Sequence, residues 1–127
     1  VDSDPITVLV VDDDAAIRLL CRVNLELDGC IVLEAQALDE AREVLDRTTV
    51  DVVLLDVHVG RDDGLELLRE LHGRRPRTPV ALLTGSSSPG AVAHEPADAL
   101  IPKPFRLEEL TATVKKLAGR REIDSPA

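Results

Sequence analysis

Four apolar runs in this chain each end in a residue able to do polar chemistry. Asp12-Asp13-Asp14 follows ITVLVV, Asp56 follows VVLL, Thr84 follows VALL, and Lys103 follows ALIP. Crowded carboxylates repel unless a cation sits among them. Asp12, Asp13 and Asp56 offer hard oxygens, few in number, a donor set suited to octahedral Mg²⁺ that keeps some of its waters. A carboxylate is also a nucleophile toward phosphorus, giving an acyl phosphate. Phosphoryl transfer asks the protein mainly to neutralise charge on the transferring oxygens; Lys103 would bring an ammonium and Thr84 a hydroxyl donor. Singly, each residue has a plainer role. The acidic trio could serve a helix N-terminus, Asp56 a turn, Thr84 a local hydroxyl contact, and Lys103 the surface. Their shared position in the hydrophobic rhythm joins them.

That rhythm alternates between two periods. Ile6–Val11, Ile31–Leu33, Val52–Leu55, Val80–Leu83 and Ala99–Ile101 are short apolar runs, read as strands. VVLL has no polar alternation, so it belongs at the centre of a sheet covered on both faces. Between the runs, apolar residues recur at helical spacing. Ile17, Leu20, Cys21 and Leu27 follow an Asp14 N-cap and stop at Gly29. Leu38, Ala41 and Leu45 mark a second helix, Leu65, Leu68 and Leu71 a third, and Leu107, Leu110, Val114 and Leu117 the last. Ser86–Pro96 falls where a fourth helix is due, but Pro89, Gly90 and Pro96 interrupt it, so it is expected to be short, irregular or mobile. Five strands each followed by a helical stretch predict a doubly wound α/β fold with a parallel sheet. Pro102 requires the fifth strand to lie at an edge. In such sheets ligands bind beyond the carboxyl ends of the strands, where these polar residues collect.

Composition bounds the rest. A chain of 127 residues makes one domain, here expected over 1–118 with a polar tail or linker start at 119–127. Net charge is −9, which repels nucleic-acid backbones and anionic lipid. Phe105 is the one aromatic residue, so bases have nothing to stack on. No apolar run approaches the ~20 residues of a membrane span. The chain begins at Val1 and contains no Met, as a piece of a longer protein would. Cys21 and Cys30 have no metal or redox spacing and read as small buried hydrophobes.

VLVVDDD (8–14), VVLLDVHV (52–59), DDGLELL (62–68), ALLTG (81–85) and PKPF (102–105) together resemble a response-regulator receiver domain, the phosphoacceptor half of bacterial two-component signalling. The likeness runs over about residues 6–118. It implies a flavodoxin-like sheet of strand order 2-1-3-4-5, the order that receivers adopt. It implies Asp56 as phosphoacceptor and Asp12 and Asp13 as the acidic pair. Asp13, Asp56 and the backbone carbonyl of His58 would be the direct Mg²⁺ ligands. Thr84 is then the hydroxyl that moves toward the phosphoryl group, Lys103 the lysine that pairs with it, and Asp63-Gly64 the turn opening the third helix. Lys103–Pro104 stands where the family often has a cis peptide. His58 and Ser86 flank the implied site and would set the lifetime of the phosphorylated form.

The implied activity is regulatory rather than enzymatic, with at most self-catalysed phosphotransfer and dephosphorylation. Implied partners are a sensor histidine kinase or phosphotransfer protein and a downstream protein or fused output domain, in the cytoplasm, with no direct contact to nucleic acid or membrane. A homodimer is left open. Three features depart from the family pattern. Val59-Gly60 replaces a common Met-Pro and is expected to loosen the loop after Asp56. Leu100 replaces an aromatic switch residue, and the interval from Thr84 to Lys103 is short. These departures keep a second reading in play, a pseudo-receiver acting as a phosphorylation-independent interaction module. A third, a flavodoxin-like enzyme, lacks a flavin-stacking aromatic and a glycine-rich phosphate loop.

Overall fold

The computed structural model describes residues 5–85, 92 and 94–124. Element order is β1 (Thr7–Val11), α1 (Ala15–Leu27), β2 (Ile31–Ala35), α2 (Leu38–Arg47), β3 (Val52–Asp56), β4 (His58–Val59), β5 (Asp62–Asp63), α3 (Gly64–His72), β6 (Val80–Thr84), β7 (Ala99–Pro102) and α4 (Leu107–Asp124). The main sheet is parallel with order β2-β1-β3-β6-β7, which is 2-1-3-4-5 when its five strands are counted in sequence. β7 is an edge, as Pro102 requires.

Alternate residues of β1, β3 and β6 feed two separate cores. Val8, Val10, Val52, Leu54, Ala81 and Leu83 pack beneath α1 and α4, against Cys21, Leu25, Leu110, Val114 and Leu117. Leu9, Val11, Val53, Leu55, Val80 and Leu82 pack on the other face, against Leu38, Ala41, Leu67, Leu68 and Leu71 of α2 and α3. The apolar runs of β1, β3 and β6 are therefore strands buried on both sides, while Ile31 of β2 and Leu100 of β7 at the edges are exposed. Both cysteines are free and buried. Burial, and after it the Asp12 charge, pushes the Cys21 thiol up to about 12, so it stays protonated as a hydrophobe should.

Two boundaries differ from the sequence reading. Gly60, expected to add backbone freedom after Asp56, sits in a defined turn. It has φ +64 and is the first of the two residues joining β4 to β5 in a tight antiparallel hairpin, a position suited to glycine in a type II′ turn. α4 runs through Gly119 to Asp124, past the expected start of a polar tail, because Arg120, Arg121 and Glu122 are good helix formers and one glycine is a modest cost. The expected irregular fourth helix falls mostly outside the described residues; Val92, within it, is buried against the α2–α3 core.

Candidate functional site

The strand register brings the polar residues to one edge. Asp56 is the last residue of β3 and lies across from Leu83, so Thr84 at the end of β6 is one step further along the neighbouring strand. Thr84 is buried and pairs in register with Pro102, and its carbonyl accepts the Lys103 N–H at 2.7 Å. β1 delivers Asp12 directly beyond Val11. The acidic trio divides its labour. Asp14 is the N-cap of α1, its carboxylate accepting the Ala16 N–H at 2.9 Å. Asp12 and Asp13 face the site.

Asp12 is fully buried and every polar group it has is engaged. Its N–H donates to the Ala35 carbonyl at 3.1 Å. Its Oδ1 accepts the Asp14 N–H at 2.9 Å, and its Oδ2 accepts from Lys103 Nζ at 3.1 Å. The Arg18 guanidinium donates to its carbonyl at 2.7 Å. Lys103 Nζ is also 3.5 Å from Asp56 Oδ1, so one ammonium sits between two carboxylates from different strands. Carboxylate oxygens of Asp12, Asp13 and Asp56 lie within 4.8 Å of one another.

Burial, then the neighbouring Asp12 charge, pushes the Asp56 carboxyl up to about 6, against the pull of Lys103 and of the His58 N–H. Burial pushes the Lys103 ammonium down, but the hydrogen bond and charge of Asp12, with Asp56 behind it, outweigh burial and its net shift is upward. The site is short of positive charge and holds its single lysine firmly protonated.

The segment after Asp56 is shaped tightly round it. The exposed His58 sends its backbone N–H toward Asp56 Oδ1 at 3.4 Å, and β4 pairs His58 with Asp63. Asp63 caps α3 by accepting the Leu65 N–H at 3.0 Å, and the Gly64 N–H donates to the Val57 carbonyl at 2.7 Å. A Cβ on Gly64 would fall on the Asp56 carbonyl oxygen and 2.9 Å from that of Val57, so no side chain fits there. Lys103–Pro104 is cis.

The structure thus gathers Asp12, Asp56 and Lys103 by direct contact, Asp13 by a carboxylate within 4.8 Å of theirs, and Thr84 and His58 by register and backbone. Ser86 lies outside the described residues. Sequence reasoning passed over Arg18 and Glu34. The signal available was that Arg18 and Arg22 stand one helical turn apart, a like-charge pair that costs stability unless a carboxylate lies between them.

The family description "Response regulator receiver domain" matches residues 8–115. Response regulator MprA of Mycobacterium sp. (strain KMS) is 39% identical over 123 residues, covering 94% of this chain and 54% of that protein. The chain therefore spans about half the length of the curated relatives it matches. Among solved structures, a CheY-like receiver domain protein from Methanospirillum hungatei JF-1 superposes with a TM-score of 0.87 at 27% identity, covering 96% of this chain and 100% of that one. A response regulator from Thermotoga maritima gives 0.80 at 34% identity, covering 91% and 99%. No helix among the described residues is long and apolar enough to cross a membrane.

Proposed function

This chain belongs to the response regulator receiver family, and from that membership we propose that it is a phosphoacceptor switch whose accepting residue is Asp56. The observation that carries the assignment is Lys103 Nζ between Asp12 and Asp56, beside three carboxylates within 4.8 Å. A carboxylate oxygen of Asp56 attacks the phosphorus of a phosphohistidine on a sensor kinase or phosphotransfer protein. The P–O bond forms, the P–N bond breaks, and the imidazole leaves. Lys103 then pairs with the phosphoryl oxygens in place of the Asp56 charge, and the Thr84 hydroxyl donates to them.

The donor set fits Mg²⁺, having hard carboxylate oxygens and no soft ligand. By family likeness Asp13, Asp56 and the His58 carbonyl would be the direct ligands, and Asp12, whose oxygens accept the Asp14 N–H and Lys103 Nζ, would stand behind them. Bound there, the ion supplies positive charge where phosphoryl oxygens gather. His58 and Ser86 are the residues assigned to the lifetime of the phosphorylated form. The receiver unit is assigned to residues 1–118, in the cytoplasm, with 119–127 leading out of it. The message passes to a downstream protein or an output domain of a longer parent, and the domain acts as a regulator rather than an enzyme.

Intact mass after incubation with a small phosphodonor and Mg²⁺ tests this. Gain of one phosphoryl group by the native chain, and none by Asp56→Asn, is the expected result. No gain from either a small donor or a phosphorylated kinase would overturn it and favour the interaction module.

A further inference from the structure

Asp12 stands at the point where β1 leaves the sheet and the chain turns into α1, and its backbone is pinned on both sides. Its N–H is held by the Ala35 carbonyl of β2, at 3.1 Å. Its carbonyl has left the strand ladder and accepts Arg18 Nη1 at 2.7 Å. Arg18 is itself aimed. Its Nε donates to Glu34 Oε1 at 3.0 Å, and the other oxygen of Glu34 accepts Arg22 Nη1 at 2.7 Å. The Arg18 side chain is 15% exposed and that of Glu34 27%, so the pair is shielded from solvent more than a surface bridge is. Hydrogen bonding from Arg22 holds the Glu34 carboxyl below its usual range; burial opposes this and Arg18 adds to it, so Glu34 stays charged.

The geometry points to Arg18 as a positioning residue for the acidic pair, acting through the Asp12 carbonyl to aim Asp13 toward Asp56. The peptide joining Asp12 to Asp13 is planar. Holding its oxygen therefore holds the plane containing the Asp13 N and Cα, and so the point from which the Asp13 side chain reaches into the cluster. The forked guanidinium is essential to this. It reaches a carboxylate on β2 and a carbonyl at the β1–α1 junction from two nitrogens in fixed relation, whereas a lysine ammonium is a single mobile point charge. Glu34 bridges Arg18 and Arg22, turning a like-charge repulsion on α1 into a brace between helix and sheet. Arg18 bonds to the Asp12 carbonyl and to Glu34, and acts through them.

The inference rests on the reading of the site as a Mg²⁺-assisted phosphoacceptor, and its test separates the two. Mg²⁺ is titrated into the ¹⁵N-labelled native chain, Arg18→Lys, Arg18→Met and Arg22→Ala, following the Asp13 and Asp14 amides, with thermal melts of each metal-free protein alongside. Both Arg18 variants are expected to bind Mg²⁺ about tenfold more weakly, while Arg22→Ala, which leaves the Arg18–Glu34 contact, stays within about twofold. The Asp13 amide is expected to shift in the Arg18 variants before any Mg²⁺ is added. A merely structural role would lower the melting temperature and leave the affinity of the folded protein unchanged. If Arg18→Met fails to fold, Arg18→Lys decides. Folded Arg18 variants with native affinity and a native Asp13 amide overturn the inference alone. A native chain that binds no Mg²⁺ overturns the reading of the site and this inference with it.

Discussion

Asp56 carries a charge that its surroundings oppose. Its carboxyl is pushed to about 6 by burial first and by Asp12 second, from an ordinary value of 3.8. A group whose proton is held more tightly in the folded state contributes stability that is full below the unfolded value and lost as pH rises through the folded one. The metal-free protein should therefore lose stability between pH 5 and pH 7.5. Glu34 and Glu70, both pulled below their ordinary range by arginines, act in the opposite sense, but their effect is complete below about pH 5 and leaves this window clear. Asp56→Asn removes the ionising group and should flatten the slope, gaining on the order of 1 kcal/mol at pH 7.5. Mg²⁺ should flatten it in the native chain by occupying the same cluster. Urea unfolding at the two pH values, with and without Mg²⁺, measures this. A native slope identical to that of Asp56→Asn would mean that neither burial nor the Asp12 charge raises the Asp56 carboxyl.

At the scale of elements, the junction of β3 with α3 decides how Asp56 is presented, and Gly64 is its tightest point. The Asp56 carbonyl occupies the place a Gly64 Cβ would take, so Gly64→Ala must push the start of α3 away from the end of β3. The expected cost is about 1–3 kcal/mol, as for other overpacked sites. Phosphoryl gain should also slow on the order of tenfold, because displacement of a nucleophile by a fraction of an ångström is felt in the rate. Urea midpoint and mass-monitored phosphorylation read the two effects separately; native kinetics at reduced stability would show that β3 holds Asp56 without help from α3. The sequence made β1, β3 and β6 legible because both their faces are covered and their apolar runs are unbroken, while the edge strands β2 and β7 were legible from shorter apolar runs. Asp14 was legible as a cap because an acid stands directly ahead of a helical period. The β4–β5 hairpin was not, since its flanks, His58-Val59 and Asp62-Asp63, lack apolar alternation and Gly60 read only as freedom. Arg18 was hidden for a different reason. Its partners, Glu34 and the Asp12 carbonyl, meet it only once β2 packs beside α1; the local spacing of Arg18 and Arg22 asks for a carboxylate between them without saying which one.

Over the whole molecule, charge sets what the domain can meet. Its net charge is −9, and its arginines are largely spent within the fold. Arg22 pairs with Glu26 and Glu34, and Arg42 ties α2 to α3 through Glu66 and Glu70 at 3.3 and 2.6 Å. Arg47 pairs with Glu43, Arg69 with Glu95 and Arg77 with Asp98. A protein binds duplex DNA non-specifically by placing several cations against phosphates and releasing counterions. Here those arginines face carboxylates, and the carboxyl edge of the sheet presents an acidic cluster. Phosphorylation at that edge adds negative charge and moves the balance further the same way. This domain alone should therefore show no association with duplex DNA tighter than about 10⁻⁴ M, even at ~50 mM salt where electrostatic binding is strongest. Fluorescence anisotropy of a labelled duplex, titrated with native and phosphorylated chain, checks this. Saturable, salt-sensitive binding would mean that the arginine pairs open to expose a basic face. Its absence would assign any contact with nucleic acid in a longer parent to a separate domain, leaving this one to carry the signal by shape and charge alone.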